Sequence, residues 1–103
     1  MLNWKKLVKQ IPHRIQVKKN IFYEILWIDQ FPDKETMAET RQYNRQIVIK
    51  KGLSPKMTIV CYLHELAHCF SDEYGANFTE TQILAMEKSL YFLLKNGNIF
   101  TKD

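Results

Sequence analysis

Apolar residues Trp4, Leu7, Val8 and Ile11 fall three and four apart with Lys5, Lys6 and Lys9 between them, and Pro12 follows. That spacing predicts a short amphipathic helix stopped by the proline. From Arg14 the period changes to two. Ile15 and Val17 alternate with Gln16 and Lys18, Lys19-Asn20 offers a turn, and the β-branched and aromatic run Ile21 to Ile28 follows. Two strands forming a hairpin are expected. Residues 29 to 44, with Pro32, several acids and little periodicity, read as a connection. Gln46-Ile-Val-Ile-Lys50 reads as a third strand, ended by Lys51-Gly52.

Ser54-Pro55 is a helix entrance, with serine at the N-cap and proline at the first helical position. Ile59, Tyr62, Leu63, Leu66, Ala67 and Phe70 carry the apolar face of that helix to about Asp72. Residues 72 to 77 read as a loop in which Gly75 and Asn77 are free to take positive φ. A last helix opens at Thr79, where Thr-Glu-Thr-Gln82 is a capping box. Ile83, Leu84, Leu90, Tyr91 and Leu94 supply its apolar face, and Asn96-Gly97-Asn98 ends it. Strands grouped before helices, without repeats or linkers, make the fold class α+β and the chain one domain over 1–103.

Composition narrows this further. A 103-residue chain that is 46% apolar and 25% charged can bury over ~60% of its unfolded surface and form its own core. Its longest apolar runs, Ile59 to Leu63 and Leu90 to Leu94, are five residues each, against the ~20 a membrane helix requires. The N-terminus has positive charge but no apolar signal-peptide core, so a cytoplasmic protein is expected. Cys61 and Cys69, eight apart in one helix, would stand ~12 Å from each other, too far for a disulfide. Of the net charge of +4, residues 1 to 20 hold six basic groups and no acid. Such an arm can favour nucleic acid, but no nucleic-acid recognition motif accompanies it, and charges on a short amphipathic segment are more often a solvated face.

The chemistry concentrates in His64-Glu65-Leu66-Ala67-His68. Residues four apart lie one turn above each other, so two imidazoles can meet one metal ion from one helix face. Neutral imidazole suits Zn²⁺. Glu65, beside the first ligand, is placed to accept a proton from a metal-polarised water, as a general base does. The plainer alternative is a surface helix with His64 and Glu65 solvated and His68 hydrogen-bonded in the core. A catalytic zinc takes three protein ligands. Asp72 and Glu73 follow His68 too closely to reach back easily, while Glu80 and Glu87 share one face of the next helix. The pattern does not choose between those two; capping service for Glu80 and a surface position for Glu87 are the competing readings. Cys61 could approach the same metal, but free cysteines more often pack, and Cys69 is expected in the core. Tyr43, Tyr74 and Arg41 are oxyanion candidates by residue type only, and His13 reads as a solvated loop residue.

Three stretches together carry a family resemblance: Gln46-Ile-Val-Ile-Lys-Lys-Gly-Leu-Ser through Tyr62-Leu-His-Glu-Leu-Ala-His, then Phe78-Thr-Glu-Thr-Gln82, then Ser89-Leu-Tyr-Phe-Leu-Leu-Lys-Asn96. Over roughly residues 40 to 98 the chain resembles the small phage- and mobile-element-associated metallopeptidase-like proteins of the ImmA/IrrE family. The resemblance implies a minimal zincin-like domain with a small antiparallel or mixed sheet. It gives the third zinc ligand to the glutamate opening the second helix, here Glu80 in Glu80-Thr-Gln82-Ile83, beside His64 and His68. It further implies a protein or peptide substrate inside the cell, such as a repressor-type regulator, and no membrane role. In such architectures a strand edge beside the metal helix receives an extended peptide; with Gln46–Lys50 as that edge, the peptide would lie along Ile47 to Ile49. The alternative function is a zinc-stabilised protein- or nucleic-acid-binding module without turnover on the same scaffold.

Overall fold

A computed structural model describes residues 2–96. Helix α1 (Trp4–Lys9) is followed by strands β1 (Arg14–Lys18), β2 (Ile21–Ile28), β3 (Ala38–Arg41) and β4 (Gln46–Lys50). Helices α2 (Pro55–Glu73) and α3 (Glu80–Asn96) complete the chain. This is an α+β arrangement, as the sequence predicts. The expected stop at Gly97-Asn98 lies outside the described residues.

β1 and β2 form the expected hairpin, turned at Asn20 with φ 63° and irregular between Gln16 and Lys18. The sheet order is β1-β2-β4-β3, with β2 and β4 parallel and the other pairs antiparallel. Ile15, Val17, Tyr23, Ile25, Trp27, Ile47 and Ile49 face the helix layer, where Leu66 and Cys69 of α2 complete the core. α2 packs on the sheet; α1 and α3 pack on α2, and Trp4 stacks on Tyr91 at 5.5 Å.

Two expectations for the strands require correction. Residues 29 to 44 are not all connection, because β3 lies within them. Ala-Glu-Thr-Arg has weak strand propensity and is held by pairing with β4, Ala38 opposite Ile49 and Arg41 opposite Gln46. Nor is β4 an edge. It is hydrogen-bonded on both sides, and Ile47, Val48 and Ile49 are each 0% exposed. A continuous Ile-Val-Ile run is the signature of a strand buried on both faces. The edge beside α2 is β3.

The ladder fixes what that edge offers. Lys50 N–H donates to the Met37 carbonyl at 2.8 Å, and antiparallel ladders alternate. Met37, Glu39 and Arg41 therefore direct their backbone groups at β4, and Ala38 and Thr40 direct theirs outward. Among the described residues no strand pairs with this edge.

On α3, Ile83 is fully buried, but Leu84, expected on the apolar face, is 41% exposed. The inward face at that level is shared by Glu87 instead. No helix among the described residues is long and apolar enough to cross a membrane.

Candidate metal centre

α2 begins as the sequence predicts, with the Ser54 side chain accepting from Met57 N–H and Pro55 in the first turn. Its length places His64 and His68 on one face, their rings 5.0 Å apart. Delivery of the third group depends on how α2 stops. Ala76 N–H donates to the Ser71 carbonyl at 2.9 Å, and Phe78 N–H donates to the buried Ser71 hydroxyl at 2.8 Å. Gly75 and Asn77 take positive φ there, as expected. The chain thus reverses tightly into α3. The capping box is in place: Thr79 N–H donates to Gln82 Oε1 at 2.8 Å and Gln82 N–H to Thr79 Oγ1 at 3.2 Å.

Glu80 emerges from that first turn against both histidines. Its Oε1 lies 3.0 Å from His64 Nε2 and its Oε2 lies 3.7 Å from His68 Nε2. His64, His68 and Glu80 form a group that could hold a metal ion, with one ligand atom from each within 4.8 Å of the others. Ligand atoms of a tetrahedral site with ~2.0–2.1 Å bonds stand about 3.4 Å apart, a value the two measured separations bracket.

Glu87 takes a different place. Its Oε1 lies 2.9 Å from His64 Nδ1. With Glu87 ionised, that nitrogen carries the hydrogen, so the lone pair of a neutral imidazole sits on Nε2. In that tautomer the Nε2 lone pair faces the Glu80 carboxylate 3.0 Å away, a pair that either a metal ion or a second proton on the ring would join. The structure thereby separates the two acids that the sequence pattern leaves equivalent.

Glu65 is 7% exposed. The Thr40 hydroxyl lies 2.9 Å from Glu65 Oε1 and 3.2 Å from the Glu65 carbonyl. Burial raises the Glu65 carboxyl above its ordinary range, opposed by the Thr40 hydrogen bond and by the histidines. Thr40 is a site residue that the sequence reading misses, because β3 is missed. Its signal is the alternation of Ala38 and Thr40 with Glu39 and Arg41. A cleft of about 320 Å³ runs along Ala38, Thr40, His64, Glu65, His68 and Asp72. A second, of about 230 Å³, adjoins it across Ala38, His64 and Glu65.

Several candidates go elsewhere. Glu73 turns to Tyr23 and Arg45. Cys61 is buried and lines the second cleft outside the metal-capable group, and burial pushes its thiol up to about 11. Cys69 is a core residue. Tyr43 is fully exposed, Arg41 pairs with Glu39, and the Tyr74 hydroxyl points to the Val17 carbonyl. None of these three lines either cleft.

Comparison with protein-family models, curated proteins and solved structures finds no match for this chain.

Proposed function

We propose that the chain is a small zinc-dependent metallopeptidase of zincin type, related to the ImmA/IrrE-like proteins its motifs resemble. The observation that carries this reading is the convergence of His64, His68 and Glu80 beside the buried carboxylate of Glu65. Two imidazoles and one carboxylate are a donor set suited to zinc, with a position left for water.

When bound there, zinc supplies Lewis acidity and lowers the pKa of a water toward ~7. Glu65 would serve as the general base, placed to take a proton from an attacking water and to return it to a leaving amine. Thr40 orients the Glu65 carboxylate. Glu87 fixes the His64 ring and tautomer, as carboxylates behind histidine ligands do. The peptide lies along β3, hydrogen-bonding the outward backbone groups of Ala38 and Thr40, rather than along β4. By the same resemblance the substrate is an intracellular protein, such as a repressor-type regulator.

The test is zinc content by mass spectrometry, together with hydrolysis of a pool of unstructured peptides. Wild type should carry about one zinc per chain, and His68→Ala and Glu80→Ala should lose it. Glu65→Gln should keep the metal and abolish cleavage. Cleavage surviving that change removes the mechanism. Zinc bound without any cleavage by wild type would favour the non-catalytic binding module.

A further inference from the structure

Standing alone, the lysines of α1 would be a solvated face, but the fold adds to them. α1 packs on α2, and Trp4 stacks on Tyr91 of α3 with the ring planes 11° from parallel. This packing brings together three lengths of chain that are short of acid: α1 has none, α2 has none before Glu65, and α3 has none after Glu87. They carry Lys5, Lys6, Lys9, Lys56, Lys88 and Lys95. A cleft of about 260 Å³ opens between the helices, with Lys56 and Lys88 on its walls beside Val60, Glu87 and Tyr91. Glu87, the acid in that cleft, is engaged with His64 Nδ1 at 2.9 Å.

Aromatic rings stand among these cations. Lys56 Nζ is 5.7 Å from the centroid of the Tyr91 ring. Phe92, next along α3, is 64% exposed. Lys88 and Lys95, four before it and three after it, share its helix face. Among the described residues no ring stacks on Phe92. Lysines that neutralise phosphates, interleaved with rings that present a π-face, are the two parts of a surface for single-stranded nucleic acid. In a duplex the bases already stack on one another and leave such rings no partner. A bilayer is the poorer fit, because Leu7 and Ile11, the apolar side chains of α1, turn into a cleft shared with Ile59, Leu63 and Leu94 and leave that helix no face to insert. We propose that the face formed by α1, the first half of α2 and the second half of α3 binds single-stranded nucleic acid, with backbone phosphates on Lys56 and Lys88 and a base stacked on Phe92. Binding there requires neither metal nor turnover.

The probe is a fluorescently labelled oligothymidylate of about 12 nucleotides, inside the ~4–16 that a small single-strand site covers. Anisotropy on the full chain reads its affinity against a duplex of equal length, and vesicles of phosphatidylserine are compared by sedimentation. The strand should bind more tightly than the duplex. Its affinity should fall with salt at a log–log slope of about −1.4 or steeper, the value for two phosphates. Lys56→Gln and Lys88→Gln should each flatten that slope by about 0.7, while Lys19→Gln, the same loss of charge in the β1–β2 turn, should leave it alone. Phe92→Ala should weaken binding about fivefold or more with the slope unchanged, and Phe92→Trp should keep it. Phe92 is exposed, so neither change endangers the fold, and the thermal midpoint checks this. A strand that does not bind at low salt, a duplex bound as tightly as the strand, full affinity in Phe92→Ala, or a slope altered as much by Lys19→Gln as by Lys56→Gln overturns the proposal. Firmer attachment to the vesicles than to the strand overturns it too, and makes the face a membrane surface instead.

Discussion

His64 meets a carboxylate at each ring nitrogen, Glu80 at Nε2 and Glu87 at Nδ1, and in the proposed metal centre the two have different work to do. Glu80 is the more exposed, 63% at the side chain against 16% for Glu87, as a group opening toward a metal and solvent would be. Glu87 is packed between the helices, where its value lies in holding one imidazole orientation. Removing a carboxylate behind a histidine ligand typically costs 10–100-fold in metal affinity. Glu87→Ala should therefore weaken zinc binding by about that factor without altering its stoichiometry, as read by competition with a chromophoric chelator. Glu87→Gln keeps an acceptor but not the charge and should fall between. An unchanged affinity in both would reduce Glu87 to a packing residue. The sequence could not divide these roles, because residues 80 and 87 lie seven apart on one helix face and only the packing of α3 on α2 decides which reaches Nε2. The family resemblance implies Glu80, from the local motif, and Glu80 is the acid that stands with His64 and His68 in the group that could hold a metal ion.

At the scale of elements, the parts written in local chemistry were legible and the parts set by pairing were not. Helix α2 announced itself through Ser54-Pro55 and its apolar spacing, and α3 through a capping box that is present bond for bond. Strand β3 has a single alanine as its apolar content and exists because β4 offers it a partner. Missing it displaced the expected peptide edge by one strand and hid Thr40. The turn between the helices is a further case: Ser71 reads as an ordinary helix residue, yet its hydroxyl anchors Phe78 N–H and so sets where Glu80 begins. Ser71→Ala leaves that amide without its partner, at a cost of about 1–3 kcal/mol, and loosens the approach of α3. The expected result is a lower thermal midpoint for the zinc-free chain and weaker zinc binding, while Ser71→Thr should retain part of both. Loss of stability with full zinc affinity would show that Glu80 finds the histidines without this anchor.

The molecule as a whole is closed at the C-terminal end of α2 by another carboxylate. Glu73, its side chain 10% exposed, accepts a 2.6 Å hydrogen bond from the buried Tyr23 hydroxyl of β2 and pairs with Arg45 in the turn before β4. Lys18 of β1 donates to its backbone carbonyl, where a cation at a helix C-terminus is favourable. One residue of α2 thus ties the helix to three parts of the sheet. The Tyr23 hydroxyl first, and Arg45 after it, hold the Glu73 carboxyl below its ordinary range. In the unfolded chain the same group titrates near ~4.3, so the folded state binds this proton less readily. The stabilisation is present above that unfolded value and is lost as pH falls through the lower folded one. The denaturant midpoint of the zinc-free protein should accordingly decline from about pH 5 downward, and Glu73→Gln should lower the midpoint at neutral pH while flattening that decline. Tyr23→Phe, which removes a hydrogen bond to a charged group, should cost about 1.5–3 kcal/mol at neutral pH and less in acid. An acid slope unchanged in Glu73→Gln would transfer the pH sensitivity to other carboxylates, of which Asp33, lowered by the Glu35 backbone N–H and the Thr36 hydroxyl, is the next to replace.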